Sequence, residues 1–410
     1  MLKIEEARKI LDKYDQSHLL NYYDDLSESE KLDLLTQIEM ADFSVLKSLK
    51  KDGGQNSERG HFEPLSAFKI EEIEQKKDDF TNAGINAIKG GKAAAVLLAG
   101  GQGTRLGYDK PKGMYNIGIT RNLSIFECLI NNLLEVVELA DAWIPFYIMT
   151  SVKNYSETVK FFRENNYFGY NSNYIRFFSQ DMAPSTDFNG KILMESKSEI
   201  SMSPNGNGGW FSSIVRAGLL EEIKRKGIEW INVFAVDNVL QRIVDPTFLG
   251  AVILSGCESG GKVVSKSDPD EKVGVLCIED GKPSIVEYYE MTDEMRTRRE
   301  PDGTLSYNYG VILNYIFNVK KLEKIVDNEM PIHVVKKKIP YMDEKGNVVN
   351  PDKPNGYKFE TLVLDMIHMQ DSCISYEIVR DREFAPIKNP EGVDSIVTAR
   401  ELLKKNGIEL

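Results

Sequence analysis

Cysteine and histidine are both scarce, four of each in 410 residues. Cys128, Cys257, Cys277 and Cys373 show no metal-like spacing, so reduced core thiols are expected rather than a zinc site or a disulfide framework. His18, His61, His333 and His368 are equally dispersed, which argues against histidine-centred metal or nucleophile chemistry. Long apolar runs are missing too. None approaches the ~18 residues that a membrane helix needs. The opening Met1-Leu2-Lys3-Ile4-Glu5-Glu6 is charged where a secretion signal would be apolar. A cytoplasmic protein without a membrane partner is therefore expected. Positive charge is in deficit: the net charge is −12, which disfavours nucleic acid and anionic membranes as partners. There is no internal repeat, no long low-complexity tract and no Walker A pattern.

Glycine, by contrast, is dense at one place. Gly100, Gly101, Gly103 and Gly107 directly follow the apolar run Ala93 to Leu98, and Arg105 and Lys112 stand among and just beyond them. This order predicts a buried strand, then a backbone bare of side chains, then two fixed positive charges. Such a backbone lets N–H groups approach phosphate oxygens, and the cations neutralise charge that backbone dipoles cannot. The dinucleotide fingerprint G-x-G-x-x-G fits only in part. Gly101 and Gly103 match, but position 106 is leucine, and Glu127, the nearest candidate for a ribose-binding acid, lies in a helical pattern. A nicotinamide-dependent oxidoreductase is thus a poor fit.

Residues 1–90 read as an N-terminal helical region. Ile4, Ala7, Ile10, Leu11 and Tyr14 recur at helical spacing, and Ser27 with Glu30 forms a capping box before a helix through Leu32, Leu35, Ile38 and Met40. Lys51 to Gly60 is polar and glycine-rich and reads as a loop. From residue 91 to about 380, strands at Ala93–Leu98, Phe146–Thr150, Tyr174–Phe178, Ile231–Val236 and Val263–Ser265 alternate with helices at Ser124–Leu139, Tyr155–Glu164 and Gly209–Lys226. Such alternation predicts an α/β fold with a mixed, mostly parallel sheet and helices on both faces. Val273–Cys277 and Ser284–Tyr288 flank Glu279-Asp280-Gly281 and read as a hairpin. Residues 381–410 read as a short C-terminal segment with a final helix. Ligands of such sheets bind beyond the carboxyl ends of the strands. Asp237 follows one of these strands, and a carboxylate there suits a Mg2+ or Mn2+ ion shared with phosphate oxygens.

The run Leu98-Ala-Gly-Gly-Gln-Gly-Thr-Arg-Leu-Gly107 with Pro111-Lys-Gly-Met-Tyr-Asn-Ile-Gly118 resembles the UTP-dependent sugar-1-phosphate uridylyltransferases, and among them the eukaryotic-type UDP-N-acetylhexosamine pyrophosphorylases. Further matches follow in order: Phe177-Phe-Ser-Gln-Asp-Met-Ala-Pro184, Ser203-Pro-Asn-Gly-Asn-Gly-Gly209, Val236-Asp-Asn238, Val286-Glu-Tyr288, Tyr307-Asn-Tyr-Gly310 and Phe384-Ala-Pro-Ile-Lys-Asn389. The resemblance covers residues 91 to about 400. It implies a Rossmann-like, GT-A-like nucleotidyltransferase fold that joins UTP and N-acetylglucosamine 1-phosphate into a UDP-sugar and pyrophosphate. Glucose 1-phosphate, or a broad sugar range, is the alternative, and a non-catalytic UDP-sugar-binding protein a remote one. It also implies roles. Arg105, Lys112 and Lys388 would be catalytic, with Arg105 on the leaving pyrophosphate and Lys388 on the sugar phosphate. Leu98, Ala99, Gly100, Gly101, Gly103, Thr104, Gln180, Gly206, Asn207 and Gly208 would hold the nucleotide. Gly274, Glu287 and Asn308 would hold the sugar, and Asp237 the metal. A monomer or homodimer is expected.

Overall fold

The computed structural model describes residues 2–52, 59–326 and 330–410. Their contacts cluster into two compact units, each assembled from three stretches of chain. The first takes Met1–Arg59, Asp181–Gly209 and Met330–Val363; the second takes Gly60–Gln180, Trp210–Glu329 and Leu364–Leu410. Residues 60–90, counted with the N-terminal region in the sequence reading, thus belong to the second unit.

The second unit is built on a mixed sheet in the order Ala67–Phe68, Cys373–Glu377, Ser259–Ser265, Tyr309–Asn318, Trp230–Ala235, Ala93–Leu98, Phe146–Thr150, Ile175–Ser179. Neighbours run parallel except at Tyr309–Asn318, which is antiparallel to the strand on either side. Every residue of Ala93–Leu98 and Phe146–Thr150 is buried. Helices cover both faces of the sheet, which is why these strands read as continuous apolar runs rather than alternating ones. The hairpin forms two residues later than expected on its first arm, as Val275–Glu279 paired with Lys282–Val286. Asp280 and Gly281 both take positive φ, as a tight two-residue turn between twisted strands demands.

Ser124 caps the helix Ile125–Ala140 by accepting the Glu127 N–H at 3.1 Å, and Phe126, Leu129, Leu133 and Val136 face the core. The helices Lys77–Lys89 and Pro246–Ser255 touch backbone to backbone. A Cβ on Gly250 would stand 1.7 Å from the Phe80 carbonyl oxygen, and one on Gly84 would stand 1.9 Å from that of Pro246. The single helix expected over 209–226 is two, Trp210–Arg216 and Leu219–Arg225. Gly218 adopts φ +71° between them, a left-handed turn that ends the first helix.

The first unit holds the helices Ile4–Lys13 and Glu28–Met40. The Ser27–Glu30 capping box forms, with the Ser27 N–H donating to Glu30 Oε2 at 2.8 Å. The buried face of the second helix is Leu34, Leu35 and Ile38, so Leu35 and Ile38 hold their expected places while Leu32 and Met40 are exposed. Ala7, Leu11, Leu34, Phe43, Ile192 and Phe359 share one core. Most of the glycine-rich loop expected at 51–60 lies outside the described residues. No helix among the described residues is long and apolar enough to cross a membrane.

Candidate active site

Parallel pairing carries Ala99 one residue past its strand, with its N–H on the Met149 carbonyl at 2.8 Å. There the chain turns away, and Asn154 receives it. This fully buried asparagine, just before the helix Tyr155–Glu164, donates its side-chain amide to the carbonyls of Gly100 at 3.0 Å and Gly101 at 3.3 Å. The Lys112 N–H adds a second bond to Gly101 O at 3.1 Å. In a trans peptide the next N–H points opposite to the carbonyl. The N–H groups of Gly101 and Gln102 therefore face away from Asn154, and both residues are exposed. Two outward N–H groups at the carboxyl end of a parallel strand form a ready anion site. A Cβ on Gly100 would stand 2.7 Å from Gln180 Oε1, so the bare glycine leaves that amide its place against the loop. Gln180 is nearly buried at the end of its own strand and donates its backbone N–H to Thr150 O at 2.7 Å.

Thr104 and Arg105 lie on a single turn, Thr104–Leu106, closed by Gly107 at φ +67°, and both are exposed. Lys112 opens a second short turn, Lys112–Met114, and is half-buried. Burial pushes the Lys112 ammonium below the ordinary lysine range; Asp237 works against that shift, and Lys388 and Arg105 add to it. Arg105, Asp237 and Lys388, scattered over the sequence, therefore all lie near enough to Lys112 to act on its charge. In a chain of net charge −12 this is a local positive focus.

Lys388 reaches this place by a backbone zipper. The Ile387 N–H donates to the Asp237 carbonyl at 2.9 Å, and the Ala385 N–H to Asn238 Oδ1 at 2.8 Å. Lys388 Nζ lies 3.0 Å from Asp394 Oδ2. Asp237 itself is half-buried at the end of Trp230–Ala235, and its carboxylate takes no hydrogen bond or ion pair among the described residues. No group of three or more metal-ligating side chains exists among those residues. One open carboxylate beside phosphate-seeking cations fits a hard ion that completes its shell with phosphate oxygens and water, as Mg2+ does.

On the hairpin, a Cβ on Gly274 would lie 3.3 Å from Glu287 Oε1, so this glycine backbone and this carboxylate are neighbours. Glu287 stands one residue past its strand rather than on it. Asn308 is tied to the neighbouring turn. Its Nδ2 donates to Ser265 Oγ at 3.1 Å and its Oδ1 accepts from the Lys266 N–H at 3.2 Å, so the amide braces the turn after Ser259–Ser265. Gly206, Asn207 and Gly208 lie in the first unit. Asn207 Oδ1 accepts from the Val363 N–H at 2.9 Å, the Gly208 N–H meets Thr361 O at 2.9 Å, and a Cβ on Gly206 would stand 2.1 Å from that same oxygen.

The clamp Asn154 and the brace Asn238 were not singled out from sequence. The first has a legible signal, an Asx residue three positions after Ser151 at a strand-to-helix turn; the second sits inside Val236-Asp-Asn238 with nothing local to mark its partner near position 385.

Comparison with known proteins follows the same lines. Residues 36–404 match the family described as UTP–glucose-1-phosphate uridylyltransferase. The human UDP-N-acetylhexosamine pyrophosphorylase-like protein 1 is 34% identical over 427 residues, covering 98% of this chain and 84% of that protein. The UDP-N-acetylglucosamine pyrophosphorylase of Saccharomyces cerevisiae is 34% identical over 419 residues, covering 94% of this chain and 86% of that one. The crystal structure of the Trypanosoma brucei uridine diphosphate N-acetylglucosamine pyrophosphorylase, in complex with an inhibitor, superimposes with a TM-score of 0.83 at 28% identity, covering 98% of this chain and 84% of that one.

Proposed function

The chain belongs to the UTP–glucose-1-phosphate uridylyltransferase family, and we propose that within it the protein makes UDP-N-acetylglucosamine and pyrophosphate from UTP and N-acetylglucosamine 1-phosphate. It is a nucleotidyltransferase by membership. The observation that carries the reading is the glycine loop with its outward N–H groups, tied by its Gly101 carbonyl to Lys112, on whose charge Arg105, Lys388 and Asp237 all act.

An oxygen of the sugar phosphate attacks the α-phosphorus of UTP, and the bond from that phosphorus to pyrophosphate breaks. No covalent enzyme intermediate is needed. The protein's work is to hold the two anions in line and to stabilise charge that grows on the equatorial and leaving oxygens. The Gly101 and Gln102 N–H groups and Lys112 hold the triphosphate. Arg105 grips the departing pyrophosphate. Lys388 aligns the attacking phosphate. Asp237 would hold the Mg2+ or Mn2+ ion, which when bound neutralises triphosphate charge. Gly274 and Glu287 offer a backbone group and a carboxylate to the sugar.

The test is pyrophosphate release from UTP and Mg2+, with N-acetylglucosamine 1-phosphate and glucose 1-phosphate run in parallel. Faster turnover of the acetamido sugar supports the reading. Faster turnover of glucose 1-phosphate keeps the mechanism and reassigns the sugar, while silence with both would overturn the reading.

A further inference from the structure

Lys262 lies in the strand Ser259–Ser265 with its side chain fully buried. An ammonium away from water is costly unless each of its protons finds an acceptor. Here each does. Nζ donates to Asp245 Oδ2 at 3.0 Å, to the Arg242 carbonyl at 3.3 Å, and to Glu383 Oε2. The Phe248 ring lies 5.6 Å away on its remaining side. Asp245 is 2% exposed and caps the helix Pro246–Ser255, accepting the Thr247 N–H at 3.1 Å. Burial works to raise the Asp245 carboxyl, but Lys262, Arg242 and the hydrogen bonds outweigh it and hold the group below its usual range. Burial, together with the Asp245 charge, pushes Glu383 up despite Lys262.

Well-packed apolar side chains often stabilise such positions as well as a buried ion group, or better. What a charged group adds is direction: it permits one arrangement of the segments it joins. One of those segments is the strap Glu383–Asn389. The Glu383 carbonyl accepts Asn238 Nδ2 at 2.7 Å, the Val239 N–H reaches Ala385 O at 3.3 Å, and the Ile387 N–H reaches Asp237 O at 2.9 Å. The strap is thus laced along the turn that carries Asp237. Its first residue alone sends a charged side chain down to Lys262 in the sheet.

We infer that the Lys262–Glu383 pair is a positioning device for the lysine that receives the sugar phosphate. It pins the start of the strap so that Lys388 stands in line with Asp237 and Lys112. Neither residue of the pair touches substrate. The inference rests on the role given to Lys388 above.

Glu383→Gln tests it, since the amide keeps the shape and an acceptor and removes the charge. KM for the sugar 1-phosphate should rise ~5–10-fold while KM for UTP stays within about twofold. A merely structural role would lower thermal stability and shift both constants together, or neither, and that result would overturn the inference. Lys388→Ala supplies a second reading. Once Lys388 is gone there is nothing left to position, so adding Glu383→Gln should cost less than ~2-fold more; full additivity would overturn the inference. Hydrogen exchange gives a readout independent of turnover. The amides of Ala385 and Ile387 should exchange at least ~10-fold faster in Glu383→Gln, with those of Ala93–Leu98 unchanged. A wild-type chain that turns over no sugar phosphate would sink the functional reading; exchange at the wild-type rate in the strap would sink this one. If Glu383→Gln does not fold, Glu383→Asp, which keeps the charge and shortens its reach, is read by the same measures.

Discussion

The side-chain amide of Asn154 donates to the Gly100 carbonyl at 3.0 Å and, by drawing that carbonyl inward, turns the following N–H outward. A residue outside the loop thereby sets the direction of the loop's N–H groups.

Asn154→Ala should leave the Gly100 carbonyl without its Asn154 donor, while the Gly101 carbonyl keeps the Lys112 N–H. About 1–3 kcal/mol of stability should be lost, seen as a lower melting temperature, together with a raised KM for UTP. Asn154→Asp should be worse for UTP, because it sets a carboxylate against the same carbonyls and near the anion. Unchanged UTP kinetics in both variants would show that the loop holds its shape unaided.

Arg105 is exposed, so Arg105→Ala should fold and melt as the parent does, within the ~0.5 kcal/mol typical of surface changes. Its kcat should fall by at least ~10²-fold, the scale of one lost transition-state donor. Steady-state pyrophosphate release measures it. Near-parental turnover would remove Arg105 from the mechanism.

Lys112 loses its proton at lower pH than a free lysine, because burial comes first and Lys388 and Arg105 add to it. In the free enzyme kcat/KM for UTP should therefore decline on an alkaline limb that begins below the ordinary lysine range. Lys112→Arg, which stays charged, should abolish that limb. Stability follows the opposite sign. Between the folded and unfolded values the unfolded chain holds the extra proton, so the residue's contribution to stability rises with pH. A pH–rate profile on both proteins decides the first point and denaturant titrations the second.

Asp237→Asn should keep the backbone zipper to Ile387 and lose the charge. The Mg2+ concentration for half-maximal activity should rise by at least ~10-fold, and chelation should silence the parent until Mg2+ or Mn2+ is restored. Unaltered metal dependence in the variant would move the ion elsewhere.

Much of the fold was legible because its strands are buried on both faces: Ala93–Leu98 and Phe146–Thr150 stand where their apolar runs placed them. The helix Tyr155–Glu164 was legible for its spacing. Gly218 was not, since a lone glycine in a helical pattern is tolerated as often as it breaks one. Leu313 adopts φ +53° inside Tyr309–Asn318, near where the pairing register shifts between Gly261 and Val263, and no local pattern announces that. In the site, the glycine loop with its cations carries its own chemistry in order. The bonds of Asn308 to Ser265 and Lys266 were not legible, because those partners are distant in sequence. Lys262 reads as any lysine in an apolar strand until Asp245 and Glu383 arrive from either side.

The core of the first unit joins Leu11 and Leu34 to Ile192 and Phe359. Synthesis delivers these pieces far apart in time. At ~5–20 residues per second, the N-terminal helices leave the ribosome tens of seconds before the strand that completes their packing. Until then Leu11, Leu34 and Phe43 have no finished interior to enter. The interval is a window of exposed apolar surface in which a chaperone can bind the nascent chain, and a truncation before residue 330 would leave this core without Phe359.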